Sequence, residues 1–240
     1  MNFEDRCRVA ANLGCKGYDM VRPADWPTLK KYSLVCSLYP PGPGGTIYNA
    51  LSNRDNHSRL EPLMHAAIDE SAANGVKSII TYSGARNGLN DRQGMDNCMT
   101  FLGRVKAHAE DKGVTICIEY LNSKVNHPDY MFDHYAWGVE LCRRVDSPSC
   151  KILWDIYHAQ IMDGDIVRNI RDNFWAIGHI HTAGVPGRHE MDDKQELNYR
   201  FIAQAIADLG YTGYVAHEYY PTPGRDPIAS LKQTIDIFTV

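Results

Sequence analysis

Short β-like runs alternate with amphipathic stretches of helical period along almost the whole chain, and a glycine repeatedly marks the passage from one to the next: Leu13-Gly14, Asn74-Gly75, Lys112-Gly113 and Leu209-Gly210. Glycine reaches the left-handed conformation that closes a helix without a Cβ clash, so each pair reads as a helix end followed by a strand. Strict alternation implies parallel strands joined by helical crossovers. Helical patterns cover 5–13, 26–32, 59–74, 94–112, 131–145, 165–173, 199–209 and 227–238; strand patterns cover 17–21, 34–39, 78–83, 115–121, 151–157, 176–182 and 214–219. The Pro/Gly-rich stretch 40–45 reads as a loop. Two architectures satisfy this order. An open doubly wound sheet places its site where strand order reverses, and a (β/α)8 barrel gathers its site at the C-terminal ends of the strands.

The polar residues favour the barrel. In Thr115-Ile116-Cys117-Ile118-Glu119, alternation puts Thr115, Cys117 and Glu119 on one face, with Glu119 last. The next strand ends in Asp155, the next carries His179 and His181, and the last runs through His217 to Glu218. Four consecutive strands thus end in an acid or an imidazole, and in a barrel those ends ring one mouth. Three carboxylates at matched height around a histidine repel one another unless a cation sits among them. Glu119, Asp155, His181 and Glu218 are therefore the expected ligands of one divalent ion, with Mn²⁺, Mg²⁺, Co²⁺, Zn²⁺ and Fe²⁺ all compatible with such donors. His179, one layer deeper, reads as a supporting or core residue, and His217 as a structural one.

At 240 residues the chain suits a single α/β barrel domain spanning 1–240. It opens on a helix, so a barrel built from it lacks its first strand; the expectation is that an upstream segment, a neighbouring chain or a loop covers the gap beside the strand at 17–21. A net charge of -4 gives no electrostatic reason to expect a nucleic-acid partner. No apolar run is long enough for a membrane span, and no signal peptide opens the chain. The seven cysteines form no Cys-x-x-Cys pair and read as reduced, mostly buried thiols, which points to the cytoplasm. Phosphate-loop, dinucleotide-binding and serine-elbow motifs are missing from the sequence.

Glu119 to Asn122, Asp155-Ile156-Tyr157-His158, His179-Ile180-His181, Pro186-Gly187-Arg188-His189-Glu190, Glu196-Leu197-Asn198-Tyr199 and Glu218 occur in an order that resembles the xylose-isomerase-like TIM-barrel superfamily, with 186–199 most similar to hydroxypyruvate isomerase and the sugar isomerase/epimerase proteins. The resemblance spans roughly 1–238. It implies the same four metal ligands, Glu119 and Glu218 as the acid/base pair, and His158, Arg188, Glu190 and Asn122 around the substrate, with Glu190 shaping its loop. Hydroxypyruvate isomerases tend to carry Gln where this chain has His181, a departure that keeps the epimerase branch in view. The loop at 122–130 also differs from the family pattern.

The implied function is metal-dependent isomerisation or epimerisation of a small sugar or hydroxy-keto acid through an enediolate. A metal can stabilise that species while two carboxylates move the proton. A homo-oligomer is compatible with such a barrel. Three rivals remain: a keto-sugar lyase or dehydratase on the same site, an apurinic-site endonuclease, and a sugar-binding subunit without turnover. The endonuclease class uses a three-metal cluster and an Asp-Arg-His motif, where this chain has Gly187-Arg188-His189.

Overall fold

The glycine junctions delimit helices as expected. In the computed structural model, which describes residues 1–240 apart from the Pro41 side chain, α1 (Phe3–Asn12), α3 (His57–Asn74), α4 (Asp91–Lys112) and α8 (Tyr199–Asp208) close on Gly14, Gly75, Gly113 and Gly210, all with positive φ. Asn90 begins α4 with a capping box, its side chain accepting from the Gln93 N–H while the Gln93 side chain accepts from the Asn90 N–H. The remaining helices are α2 (Trp26–Lys31), α5 (Tyr135–Val145), α6 (Ile156–Met162), α7 (Ile166–Asn173) and α9 (Pro227–Phe238). None is long and apolar enough to cross a membrane.

Six strands, β3 (Tyr39–Gly44), β4 (Ser78–Thr81), β5 (Thr115–Glu119), β6 (Cys150–Asp155), β7 (Ile177–Thr182) and β8 (Val215–His217), lie side by side in chain order, all parallel. A second parallel pair, β1 (Gly17–Tyr18) with β2 (Val35–Cys36), precedes them. Only Ser37 and Leu38 separate β2 from β3, so one expected strand at 34–39 becomes two short ones. The inward face follows the alternation read from the sequence. A Cβ on Gly178 would come within 2.8 Å of Lys151 Cβ and 2.9 Å of Cys117 Sγ. Cys117 therefore takes up the interior space that a side chain at 178 would need. Outside the sheet, Trp154 packs edge-on against Tyr120, and both are fully buried in one continuous core.

Two local expectations are corrected. The stretch 40–45 is largely strand: β3 advances from Tyr39 to Gly44 while β4 advances only from Ile79 to Thr81. Such a bulged outer strand tolerates proline, which cannot donate to a regular ladder. A Cβ on Gly44 would stand 2.1 Å from Thr81 Oγ1, so only glycine permits that approach. The strand expected at 151–157 stops at Asp155 and α6 begins at once, because the Asp155 carboxylate accepts from the Tyr157 and His158 N–H groups and caps a helix.

The expected gap is present. Among the described residues β8 pairs only with β7 and β1 only with β2. Between them lies a cavity of about 760 Å³, walled by α1, α8 and α9 and lined by Val9, Ala10, Ile206, Val215, Ile235 and Phe238. One-sided pairing leaves β1 and β8 half-buried, whereas β4 is buried throughout. The sheet is thus a curled, incomplete (β/α)8 barrel.

Candidate active site

Strand register brings the four expected ligands together. Asp155 stands directly opposite His181 on the neighbouring strand; Glu119 pairs with Leu153, two residues before Asp155, and His181 pairs with Ala216, two residues before Glu218. One side-chain atom from each of Glu119, Asp155, His181 and Glu218 lies within 4.8 Å of the others. Asp155 and His181 are wholly buried, Glu119 nearly so, and the Glu218 side chain is half-exposed.

Two buried atoms in this cluster, Asp155 Oδ2 and His181 Nδ1, have no hydrogen-bond partner. His181 Nδ1 lies 3.3 Å from Glu218 Oε2 and 3.6 Å from Glu119 Oε1, in hydrogen-bonding geometry with neither. Buried polar atoms are seldom left unpaired. Orphaned lone-pair donors converging beside two further carboxylates fit a divalent cation, and the oxygen-rich donor set with one imidazole suits a hard or borderline metal. Electrostatics agree. Burial, with the Glu218 charge adding to it, pushes the Glu119 carboxyl up, and burial raises Asp155 too. Burial also opposes the charged form of Glu218, but His181 and Arg188 outweigh it and hold that carboxyl down. Burial alone would lower His181, yet the carboxylates of Asp19, Glu119 and Glu218 prevail and raise it well above an ordinary imidazole. Raised Glu119 and Asp155 carboxyls beside a raised His181 mark a cluster short of positive charge.

The residues expected around the substrate divide into two groups. His158 reaches the cluster from the first turn of α6, where Asp155 places it; its Nε2 is buried, unpaired and 3.6 Å from Asp155 Oδ2. Arg188 donates from Nη2 to Glu218 Oε2 at 2.6 Å, lies 3.7 Å from Asp155 Oδ2, and stacks on the Tyr157 ring. Its φ of +58° is unusual for a residue with a Cβ, and such strain persists where surrounding contacts impose it. Asn122 and Glu190 are engaged elsewhere. The Asn122 N–H donates to His158 Nδ1, its Oδ1 accepts from the Val125 and Asn126 N–H groups, and it therefore orients His158 and the loop at 122–130. Fully buried Glu190 accepts from Arg225, from the Thr222 N–H and from Ser230, and so ties the loop after β7 to the segment before α9.

Two further residues belong to the site. His127 packs its ring against His158 at 5.4 Å and also against Tyr48. Asp19, just past β1, accepts from His179 Nε2 at 2.7 Å and His181 Nε2 at 2.9 Å. It follows the same pattern as Glu119 and Asp155, an acid at a strand's C-terminal end, and that signal was available in Gly17-Tyr18-Asp19. His217 turns away from the cluster, its Nδ1 2.8 Å from Thr182 Oγ1 and its ring against Phe238.

The xylose isomerase-like TIM barrel family matches residues 7–239. The chain belongs to that family. A 2-oxo-tetronate isomerase from Pectobacterium atrosepticum is 31% identical over 234 residues, covering 91% of this chain and 87% of its own. A Xenopus laevis relative provisionally named a hydroxypyruvate isomerase is 37% identical over 236 residues, covering 92% and 85%. Among solved structures, an AP endonuclease, family 2, from Brucella melitensis superposes with a TM-score of 0.87 at 27% identity over 98% of this chain and 93% of that one. The curled parallel sheet described above, open between β8 and β1, accords with that family's barrel.

Proposed function

We propose that this protein is a divalent-metal-dependent isomerase or epimerase of a small sugar or hydroxy-keto acid, with Glu119 and Glu218 as its proton-transfer pair. The observation that carries the reading is the convergence of Glu119, Asp155, His181 and Glu218, two of whose buried atoms have no other partner. The 2-oxo-tetronate isomerase and hydroxypyruvate isomerase names of relatives aligned over most of this chain support the same chemistry.

The four side chains would hold the metal, which when bound supplies Lewis-acid stabilisation of negative charge on neighbouring substrate oxygens. The chain's own groups do the rest. Arg188 and His158 Nε2 offer donors to substrate hydroxyl or carboxylate oxygens beside the cluster, and Tyr157 under the guanidinium limits how Arg188 can swing. One of the two glutamates removes the proton from the carbon next to the carbonyl, and the same or the other returns it. Return to the former carbonyl carbon, with the hydroxyl proton passing from one substrate oxygen to the other, yields an isomer; return to the opposite face of the same carbon yields an epimer. Asp155, His181 and Glu119 form a buried floor, while the half-exposed Glu218 carboxylate can exchange its proton with solvent between removal and return.

The test is deuterium uptake by NMR: metal-loaded protein with a panel of keto-acids and ketoses in D₂O. Incorporation at the carbon beside the carbonyl, with an isomer or epimer as product, is the expected result. Loss of a β-substituent instead would assign the lyase chemistry, and no incorporation with any panel member counts against the reading.

A further inference from the structure

Resting on the metal-site reading above, we infer that Asp19 is a positioning residue that fixes the tautomer and ring orientation of His181, so that Nδ1 presents its lone pair to the cluster. Toward the two imidazoles an ionised Asp19 carboxylate can only accept hydrogen bonds. Its Oδ2 stands 2.9 Å from His181 Nε2 and 2.7 Å from His179 Nε2, which requires the proton of each ring to be on Nε2. In neutral His181 that leaves Nδ1 unprotonated, and Nδ1 is the atom that converges with Glu119, Asp155 and Glu218. The other Asp19 oxygen, Oδ1, accepts from the Ser37 hydroxyl, so both ends of the carboxylate are held.

The placement across the barrel makes the contact informative. Asp19 follows β1, in the two-stranded pair, whereas His179 and His181 lie on β7 in the six-stranded sheet, and no backbone ladder joins those elements among the described residues. Asp19, Ser37, His181 and Glu218 all border the cavity between β1 and β8. The ring of His181 is therefore held from the far wall of the cavity and not by its own strand's neighbours. Carboxylate partners of this kind orient metal-bound imidazoles and raise their basicity, and their loss costs about 10–100-fold in metal affinity.

Isothermal titration with Mn²⁺ of the wild-type chain, Asp19→Asn and Asp19→Glu gives the first readout. Asp19→Asn is expected to bind about 10–100-fold more weakly, with partial recovery in Asp19→Glu, which restores the acceptor. The second readout is long-range ¹H–¹⁵N NMR of the metal-free chains, taken alkaline enough for His181 to be neutral, with His181 assigned by comparison with His181→Asn. The wild type should show a proton on Nε2, and Asp19→Asn a mixture or a switch to Nδ1. Should Asp19→Asn fail to fold, Ser37→Ala loosens the same carboxylate and should give a smaller loss in the same direction. Wild-type affinity together with an unchanged Nε2 proton in the variant would overturn the inference. So would a stoichiometry of two ions per chain that falls to one in Asp19→Asn, since Asp19 would then be a ligand of a second site with His179. Absence of Mn²⁺ binding by the wild type would instead sink the metal-site reading, and the NMR readout would still decide whether Asp19 sets the His181 tautomer.

Discussion

Glu119 and Glu218 share a cluster but not an environment: the first is buried, the second half-open and hydrogen-bonded to Arg188. As the proton-transfer pair, each should lose at least about 100-fold in solvent-proton exchange when changed to Gln. Because both are proposed ligands, metal content must be measured beside activity; variants that stay loaded and still exchange at the wild-type rate would rule out the pair. Arg188→Ala should raise KM while leaving metal content intact. The raised Glu119 carboxyl carries a second consequence. In the metal-free chain its charge is unfavourable, so Glu119→Gln should raise the thermal midpoint in EDTA and lower it in excess metal, a reversal that a purely structural glutamate would not show. Away from the site, His57 is buried with Nε2 2.8 Å from the Leu51 carbonyl oxygen, and burial lowers its pKa. Above about pH 6.5 the ring is neutral whether folded or not; below it the unfolded chain takes up the proton first, and stability falls. Urea midpoints at about pH 7.5 and about pH 5.5 should therefore converge more in His57→Gln than in wild type. That Glu119, Asp155, His181 and Glu218 would converge could be read from the chain because each lies at a strand end; the partners of Asn122 and Glu190 could not, because side-chain direction in a loop depends on groups such as His158 and Arg225, distant in sequence.

At the scale of elements, the punctuation was more legible than the lengths. Gly113 closes α4 with φ +63° and open space around its missing Cβ, so Gly113→Ala should cost about 1 kcal/mol, from backbone conformation alone. Gly178 has an ordinary conformation but faces Cys117 and Lys151, so Gly178→Ala should cost more, about 1–3 kcal/mol, through overpacking. Denaturant unfolding of the two variants compares them directly, and equal costs would contradict the crowded interior. The α6 helix was missed because Asp155 ends a strand and caps a helix at the same residue, leaving no loop to signal the change. The strand at 39–44 was missed because its prolines and glycines read locally as a turn; pairing with β4 overrides that preference.

At the scale of the molecule, the unpaired flanks of β1 and β8 should be the least protected parts of the sheet. Amide hydrogen exchange is expected to be faster there than in β5 and β6, and equal protection would mean that the gap is closed in solution. Metal should stabilise the whole, since three of its four proposed ligands are buried and belong to separate strands: at about 100 times Kd the gain is about 2.7 kcal/mol, or about 5–10 °C in Tm for a chain of this size. An unchanged Tm would speak against the site. By itself the sequence determined the alternation of strands and helices, the glycine ends and the row of strand-terminal acids, because these follow from local backbone freedom and from a period of two along each strand. The tertiary structure alone decided which atoms meet. Asp19 and His181 lie far apart in the chain, and only the curl of the sheet around the cavity brings the carboxylate of one to the Nε2 of the other.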